Sequence, residues 1–168
     1  MQSLVEVRTA MPEDAGAIAA IYAPHVRTGT ASFEVEPPDA EEILRRRAAI
    51  LELGHPYLVA EADGEIAGYA YASRFRPRAA YRSTVENSVY VAECFQRRGV
   101  ATTLMKRLVE LCAHAGTREM IAVIGDPSVN AASVGLHRSL GFEHIGVLSG
   151  VGEKFGRALD ILIMQKSL

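Results

Sequence analysis

The chain of 168 residues has no tryptophan, only two cysteines and no single-sign excess of charge. It also has no apolar run near the roughly 20 residues that span a bilayer, so no membrane partner is expected. Cys94 and Cys112 form no CxxC pair and sit in no His-rich spacing. That excludes a disulfide scaffold and a structural zinc site, and fits a reduced, cytoplasmic compartment. A net charge of −2 offers no basic field for nucleic acid. The N-terminal stretch carries early acids and no signal-peptide core. Internal repeats, low-complexity tracts and Ser/Gly linkers are absent, so residues 1–168 read as one domain with an ordinary globular composition.

What is present is a sequence of well-punctuated elements. Leu4 to Thr9 alternate as a half-buried strand. Pro12-Glu13-Asp14 opens a helix whose apolar face is Ala15, Ile18, Ala19 and Tyr22, with Pro24 expected to bend or end it. Asp39 to Glu42 has capping-box spacing and opens a second helix closing at Gly54. Between them Thr30-Ala31-Ser32-Phe33-Glu34 is extended or irregular, and Phe33 is either a core plug or a pocket wall. Tyr57 to Ala62, Asp63-Gly64 and Glu65 to Ser73 spell a hairpin. An arginine-rich loop follows, from Arg74 to Arg82, and Ser83 to Val91 resumes as a strand. Val100, Leu104, Leu108, Leu111 and Cys112 mark the buried face of a long helix starting near Arg98. Met120 to Ile124 is an interior strand, Asn130 to Leu140 a helix, and Phe142 to Leu148 and Arg157 to Met164 two final strands. The pattern predicts a mixed α/β (α+β) layer fold with helices covering a largely antiparallel sheet.

The junction Phe95-Gln96-Arg97-Arg98-Gly99-Val100-Ala101-Thr102 carries the first chemical signal. A helix start presents N–H groups without intrahelical partners, and the macrodipole adds partial positive charge. Gly99 permits a tight turn and close approach of a ligand, and Arg97 and Arg98 supply full charge. This is an anion cradle for a phosphate or pyrophosphate. It is neither GxGxxG nor GxxxxGK[ST], which argues against dinucleotide and nucleoside triphosphate ligands.

Gln96-Arg97-Arg98-Gly99-Val100-Ala101 resembles the Q/R-x-x-G-x-G/A signature of the GCN5-related N-acetyltransferase (GNAT) superfamily. Asn130-Ala131-Ala132-Ser133, with Leu136-His137-Arg138-Ser139-Leu140-Gly141-Phe142, resembles its second motif. Thr30 to Glu34, Tyr81 to Glu86 and Val89 to Val91 are similar to the phosphinothricin and methionine sulfoximine acetyltransferase branch. The resemblance implies a GNAT fold with splayed central strands, acetyl-CoA as co-substrate, no metal, and a small amine as acceptor. It implies that backbone groups of Val89, Tyr90 and Val91 hold the pantetheine arm. Arg97, Arg98, Gly99, Val100, Ala101 and Thr102 would receive the pyrophosphate, and Asn130 and Ser133 would contact the cofactor. A bulge near Asn87-Ser88 is expected to start the splay. A homodimer is common in this branch.

Acyl transfer to an amine needs a proton acceptor, a polarised carbonyl and a proton for the departing thiolate. Glu86 is the candidate base, because burial in an otherwise neutral strand raises a carboxyl pKa; the alternative is an edge glutamate facing water. Strand N–H groups near Val89 suit the oxyanion. Asn130, Ser133 and His137 share one helical stripe, where Asn130 either caps the helix or touches the cofactor. His137 is catalytic, as a near-neutral proton donor, or positional. By resemblance Phe33, Phe75, Arg76, Tyr81, Val85 and Glu86 wall and anchor the acceptor, with Arg76 favoured for a carboxylate. The competing readings are a protein or peptide N-acetyltransferase and a non-catalytic acyl-CoA-binding module. Cys94 has no evident base beside it and reads as a packed thiol.

Overall fold

The computed structural model describes residues 4–168, so the reading of the N-terminal stretch lies partly outside the described residues. Among them, seven strands form one sheet in the order β1-β2-β3-β4-β5-β7-β6. The elements are β1 (Glu6–Thr9), α1 (Ala15–Arg27), α2 (Ala40–Glu52), β2 (Tyr57–Ala62), β3 (Glu65–Arg74) and β4 (Thr84–Val91), then α3 (Val100–His114), β5 (Glu119–Gly125), α4 (Ala131–Ser139), β6 (Glu143–Lys154) and β7 (Arg157–Ser167). All pairings are antiparallel except β4 with β5. The mixed, mostly antiparallel α/β fold is the one predicted. No helix among the described residues is long and apolar enough to cross a membrane.

Local chemistry explains most boundaries. Asp39 caps α2 by accepting the Glu42 N–H at 2.8 Å. Asp63 (φ 54°) and Gly64 (φ 81°) are both left-handed, as a two-residue hairpin turn between twisted strands requires. Pro24 neither ends nor interrupts α1, which continues to Arg27; the Thr28 N–H and hydroxyl both donate to the Pro24 carbonyl. The long helix begins at Val100 rather than near Arg98. Arg97 (φ 59°) and Gly99 (φ 80°) are left-handed and delay the first helical turn.

Each sheet face has its own core. On one side Leu104, Met105 and Leu108 of α3, with Val134 and Leu136 of α4, pack on Leu58, Ala70, Ala72, Val85 and Met120 of the sheet. On the other, Ile18 and Val26 of α1 and Ile43 of α2 pack on Tyr57, Val59 and Tyr69 of the sheet. α3 sits close because β3 carries Gly68, where a Cβ would lie 2.8 Å from the Tyr90 carbonyl and 3.1 Å from Val100. Gly68→Ala is therefore expected to lower stability by about 1–3 kcal/mol through overpacking, read as an earlier urea midpoint at unchanged slope.

Candidate active site

The site begins where a ladder stops. β4 and β5 pair only from Thr84–Glu119 to Glu86–Ile121. Beyond that, β4 stays with β3 as far as Val91, and β5 stays with β7 as far as Gly125, so the two strands part. The β3–β4 register is continuous, and the expected bulge near Asn87-Ser88 is absent. The opening comes from a side chain instead: Asn87 Nδ2 donates to the Ile121 carbonyl at 3.1 Å, taking the place of a backbone donor at the last paired residue.

Main-chain direction within β4 follows from its ends. The Thr84 carbonyl accepts from Phe75 and the Ala92 N–H donates to Ala67, both toward β3. Alternation then turns the N–H and C=O groups of Val89 and Val91 into the gap and commits those of Tyr90 to β3. Of the three residues expected to bind through backbone, Val89 and Val91 turn their main-chain groups into the gap, where His25 already bonds the Val91 main chain. The gap widens into a cleft of ≈ 860 Å³ lined by β4, β5, the start of α3, α4 and the loop after α1.

At one end lies the anion cradle. The first α3 bond runs from Thr103 N–H to the Gly99 carbonyl, so the N–H groups of Val100, Ala101 and Thr102 precede the helical ladder. These residues, with Gln96, Arg97 and Gly99, line the cleft. Arg98 is not on the cleft wall: its guanidinium lies over Phe95 and pairs with Asp63 of the β2–β3 turn at 2.7 Å. Its charge ties the cradle to the hairpin.

Asn130, Ser133 and His137 all reach the cleft from α4. Asn130 does not cap its helix with its side chain; Nδ2 donates to the Gly125 carbonyl at 2.7 Å and fixes the end of β5. His137 is 3 % exposed. Its Nδ1 lies 2.8 Å from the Ser133 carbonyl and its Nε2 lies 2.9 Å from Asn87 Oδ1. The Asn87 orientation follows from the Ile121 carbonyl, which needs a donor, so both ring nitrogens face acceptors. Only the doubly protonated ring satisfies both bonds, whereas burial pushes its pKa down against the Ser133 bond.

Glu86 lies across the strand. It shares a face of β4 with Ser88 and Tyr90, opposite to Asn87, and lines the cleft from the α1–α2 side. Burial raises its carboxyl pKa, and among the described residues no cation pairs with it. Around it stand Phe33, Glu34 and Ser32 of the loop after α1, and a stack of buried tyrosines. Tyr57 and Tyr71 stack at 4.9 Å, and Tyr69 and Tyr90 at 5.5 Å. Glu34 accepts from Tyr22 and from Arg46 at 2.6 Å; burial alone would raise its pKa, and these bonds hold it below the usual range. The His25 ring lies tilted against Tyr90, centroids 5.1 Å apart, and hydrogen-bonds the Val91 main chain.

The remaining acceptor-site expectations separate. Phe33 and Glu86 are brought together at the cleft. Val85 is core, 1 % exposed, because strand alternation points it away from Glu86. Phe75, Arg76 and Tyr81 cluster on the exposed loop beyond β3, with Arg76 over Phe75 at 5.4 Å and Phe75 edge-on to Tyr81 at 5.8 Å. They are not on the cleft wall, although the loop leaves β3 one step past Ser73, the partner of Glu86. Asn87, Glu34 and His25 carry no site role in the sequence reading, although Glu34 closes the Thr30 to Glu34 motif. Asn87 had one signal, a polar residue on the face that Val85 and Val89 make apolar.

A cleft with a phosphate-type cradle at one end and, at the other, a carboxylate that no cation pairs among the described residues has the layout of a transferase using a phosphate-bearing group carrier. Residues 19–142 match the acetyltransferase (GNAT) family. The chain is 52 % identical to the phosphinothricin N-acetyltransferase of Alcaligenes faecalis, over 96 % of this chain and 82 % of that one. It is 41 % identical to the L-methionine sulfoximine/L-methionine sulfone acetyltransferase of Pseudomonas paraeruginosa, over 96 % and 94 %. The crystal structure of a phosphinothricin acetyltransferase from Sinorhizobium meliloti in complex with acetyl-CoA superposes with a TM-score of 0.94 at 41 % identity, covering 100 % of this chain and 89 % of that one. The chain belongs to the acetyltransferase (GNAT) family and is an acetyl-CoA-dependent N-acetyltransferase.

Replacing Asn87 by Ala leaves the Ile121 carbonyl and His137 Nε2 unpaired in a buried site. The variant is expected to lose about 2–4 kcal/mol of stability, measured by urea unfolding. A loss below about 0.5 kcal/mol would show that the carboxamide does not hold the strand ends.

Proposed function

We propose that this enzyme transfers the acetyl group of acetyl-CoA to the primary amine of a small amino-acid-like acceptor, of the phosphinothricin, methionine sulfoximine or methionine sulfone type. The observation that carries the reading is Glu86: a carboxylate with no paired cation among the described residues, at the inner end of the cleft, beside the point where β4 and β5 part. The acceptor lies on the α1–α2 side, against Phe33 and Glu86, with Arg76 on the rim loop as the cation for its carboxylate.

The donor occupies the gap. Val89 and Val91 hold the pantetheine arm through main-chain groups, with the Tyr90 ring packed behind them. Arg97, Gly99, Val100, Ala101 and Thr102 receive the pyrophosphate, Arg98 braces that turn, and Asn130 and Ser133 complete the wall. Glu86 accepts the amine proton, directly or through water. Glu86 passes that proton on to solvent. The neutral nitrogen attacks the thioester carbon, and the oxyanion takes an N–H in the gap near Val89. The proton left on the attacking nitrogen goes to Glu86 as the intermediate collapses. The C–S bond breaks, and the thiolate takes a proton from the His137 side of the strand.

Thiol release from acetyl-CoA in the presence of a panel of amino-acid amines tests the reading. Turnover with amino-acid analogues supports it. Failure of every small amine, with CoA binding intact, favours a peptide acceptor or a binding module. Glu86→Gln is expected to lower kcat at least tenfold at unchanged acetyl-CoA affinity and to remove the acidic limb of the pH profile. His137→Phe is expected to depress kcat rather than cofactor binding.

Glu86 also carries a stability signature. Because its folded pKa is raised, the stability it contributes is present below its unfolded pKa and lost as pH rises through the folded one. Glu86→Gln should therefore unfold later than the parent at pH 7, with the gain vanishing at acidic pH. Equal stability at pH 7 would mean a solvated carboxylate.

The working form is a homodimer in a reducing, cytoplasmic compartment, which suits the free thiols Cys94 and Cys112. The outer edge strand β6 exposes Ile145, Val147, Leu148 and Val151, an apolar edge that a second copy would cover. Sedimentation should give twice the 18.2 kDa chain mass, and Val147→Asp should give the monomer.

A further inference from the structure

Lys154 ends β6 far from the cradle and takes no part in the chemistry above. Yet its side chain is 6 % exposed, a rare state for lysine. Its Nζ donates to the Gly29 carbonyl at 2.8 Å and to the Ser32 carbonyl at 2.7 Å, both in the loop between α1 and α2. Burial works against the ammonium charge, and the Glu34 carboxylate works for it. The same loop sends Phe33 into a socket that only glycine can form. A Cβ at Gly152 would fall 2.2 Å from the Phe33 ring, and one at Gly125 would fall 2.7 Å from it. Neither glycine has a left-handed backbone, so space for Phe33 is what each one provides.

Loop and hairpin thus interlock twice, by charge and by shape. We propose that Lys154 is a positioning residue for the acceptor: it pins Gly29 and Ser32 so that Phe33, seated on Gly125 and Gly152, sets the acceptor-side wall of the cleft. Phe33, Ser32 and Glu34 all face the cleft beside Glu86, so a shift of this loop changes the acceptor side and leaves the cradle alone. The ammonium supplies charge-assisted donors to two carbonyls at once, which no apolar residue replaces. The inference rests on the proposed acceptor site, and its test includes a readout independent of that reading.

Lys154→Met is to be compared with the parent enzyme in steady-state kinetics and amide hydrogen exchange. The expected result is a KM for the amine raised about tenfold with the KM for acetyl-CoA unchanged, and faster exchange in residues 28–34 with α3 protection retained. Gly152→Ala leaves the lysine in place and displaces Phe33; it should raise the same KM, and it serves if Lys154→Met does not fold. Unchanged exchange in residues 28–34, or equal changes in both KM values, overturns the proposal. If the parent acetylates no small amine, the acceptor reading fails by itself, and the exchange measurement still decides whether Lys154 holds the loop.

Discussion

Parallel strands at the centre of a sheet normally keep pairing for as long as both last, since each unpaired buried N–H or C=O is costly. Here β4 and β5 stop after Glu86 and Ile121, and the site depends on that stop. The carboxamide of Asn87 makes it tolerable by donating to the Ile121 carbonyl. The main-chain groups that Val89 and Val91 turn into the gap then line a cleft, the Val91 main chain with His25 as its partner. His137 is reached through the same carboxamide, so the residue that opens the gap also orients the ring on its far side.

The strand is therefore a partition. Glu86 and His137 stand on opposite faces of β4, one among the tyrosines under α1 and α2, the other under α4. In the proposed reaction they do not exchange a proton with each other. The acceptor loses its proton on one side of the sheet, and the thiolate gains one on the other. The reacting carbon would sit in the gap between them, the one place where both faces meet.

Much of this was legible in the residues. The hairpin, the α2 cap, the buried face of α3 and the cradle follow from local rules, because turn and cap chemistry act within a few positions. Glu86 stood out by its type in an apolar strand. What was not legible depends on distant partners. The Asp63 partner of Arg98 lies 35 positions away, and Lys154 bonds carbonyls more than 120 positions back. A bulge is the usual device for such a gap, since it adds a residue; Asn87 marks its apolar face as an exception but does not name the carbonyl 34 positions away that it serves. The family resemblance implies a wall at Val85, and alternation with Glu86 puts that side chain in the core. Pro24 failed as a terminator because one missing N–H does not outweigh the packing of Tyr22 and Val26 on either side of it.

The missing tryptophan acquires a consequence once the tyrosines are placed. Five of the six, Tyr22, Tyr57, Tyr69, Tyr71 and Tyr90, meet on the α1–α2 side of the sheet, and only Tyr81 lies outside. The near-ultraviolet signal of this protein therefore originates almost wholly from one half of its core. Tyrosine emission and aromatic dichroism are built-in optical probes of the α1–α2 side, while the cradle and α3 are nearly dark. Spectra would register an amine arriving beside Glu86 more directly than a nucleotide settling at Gly99.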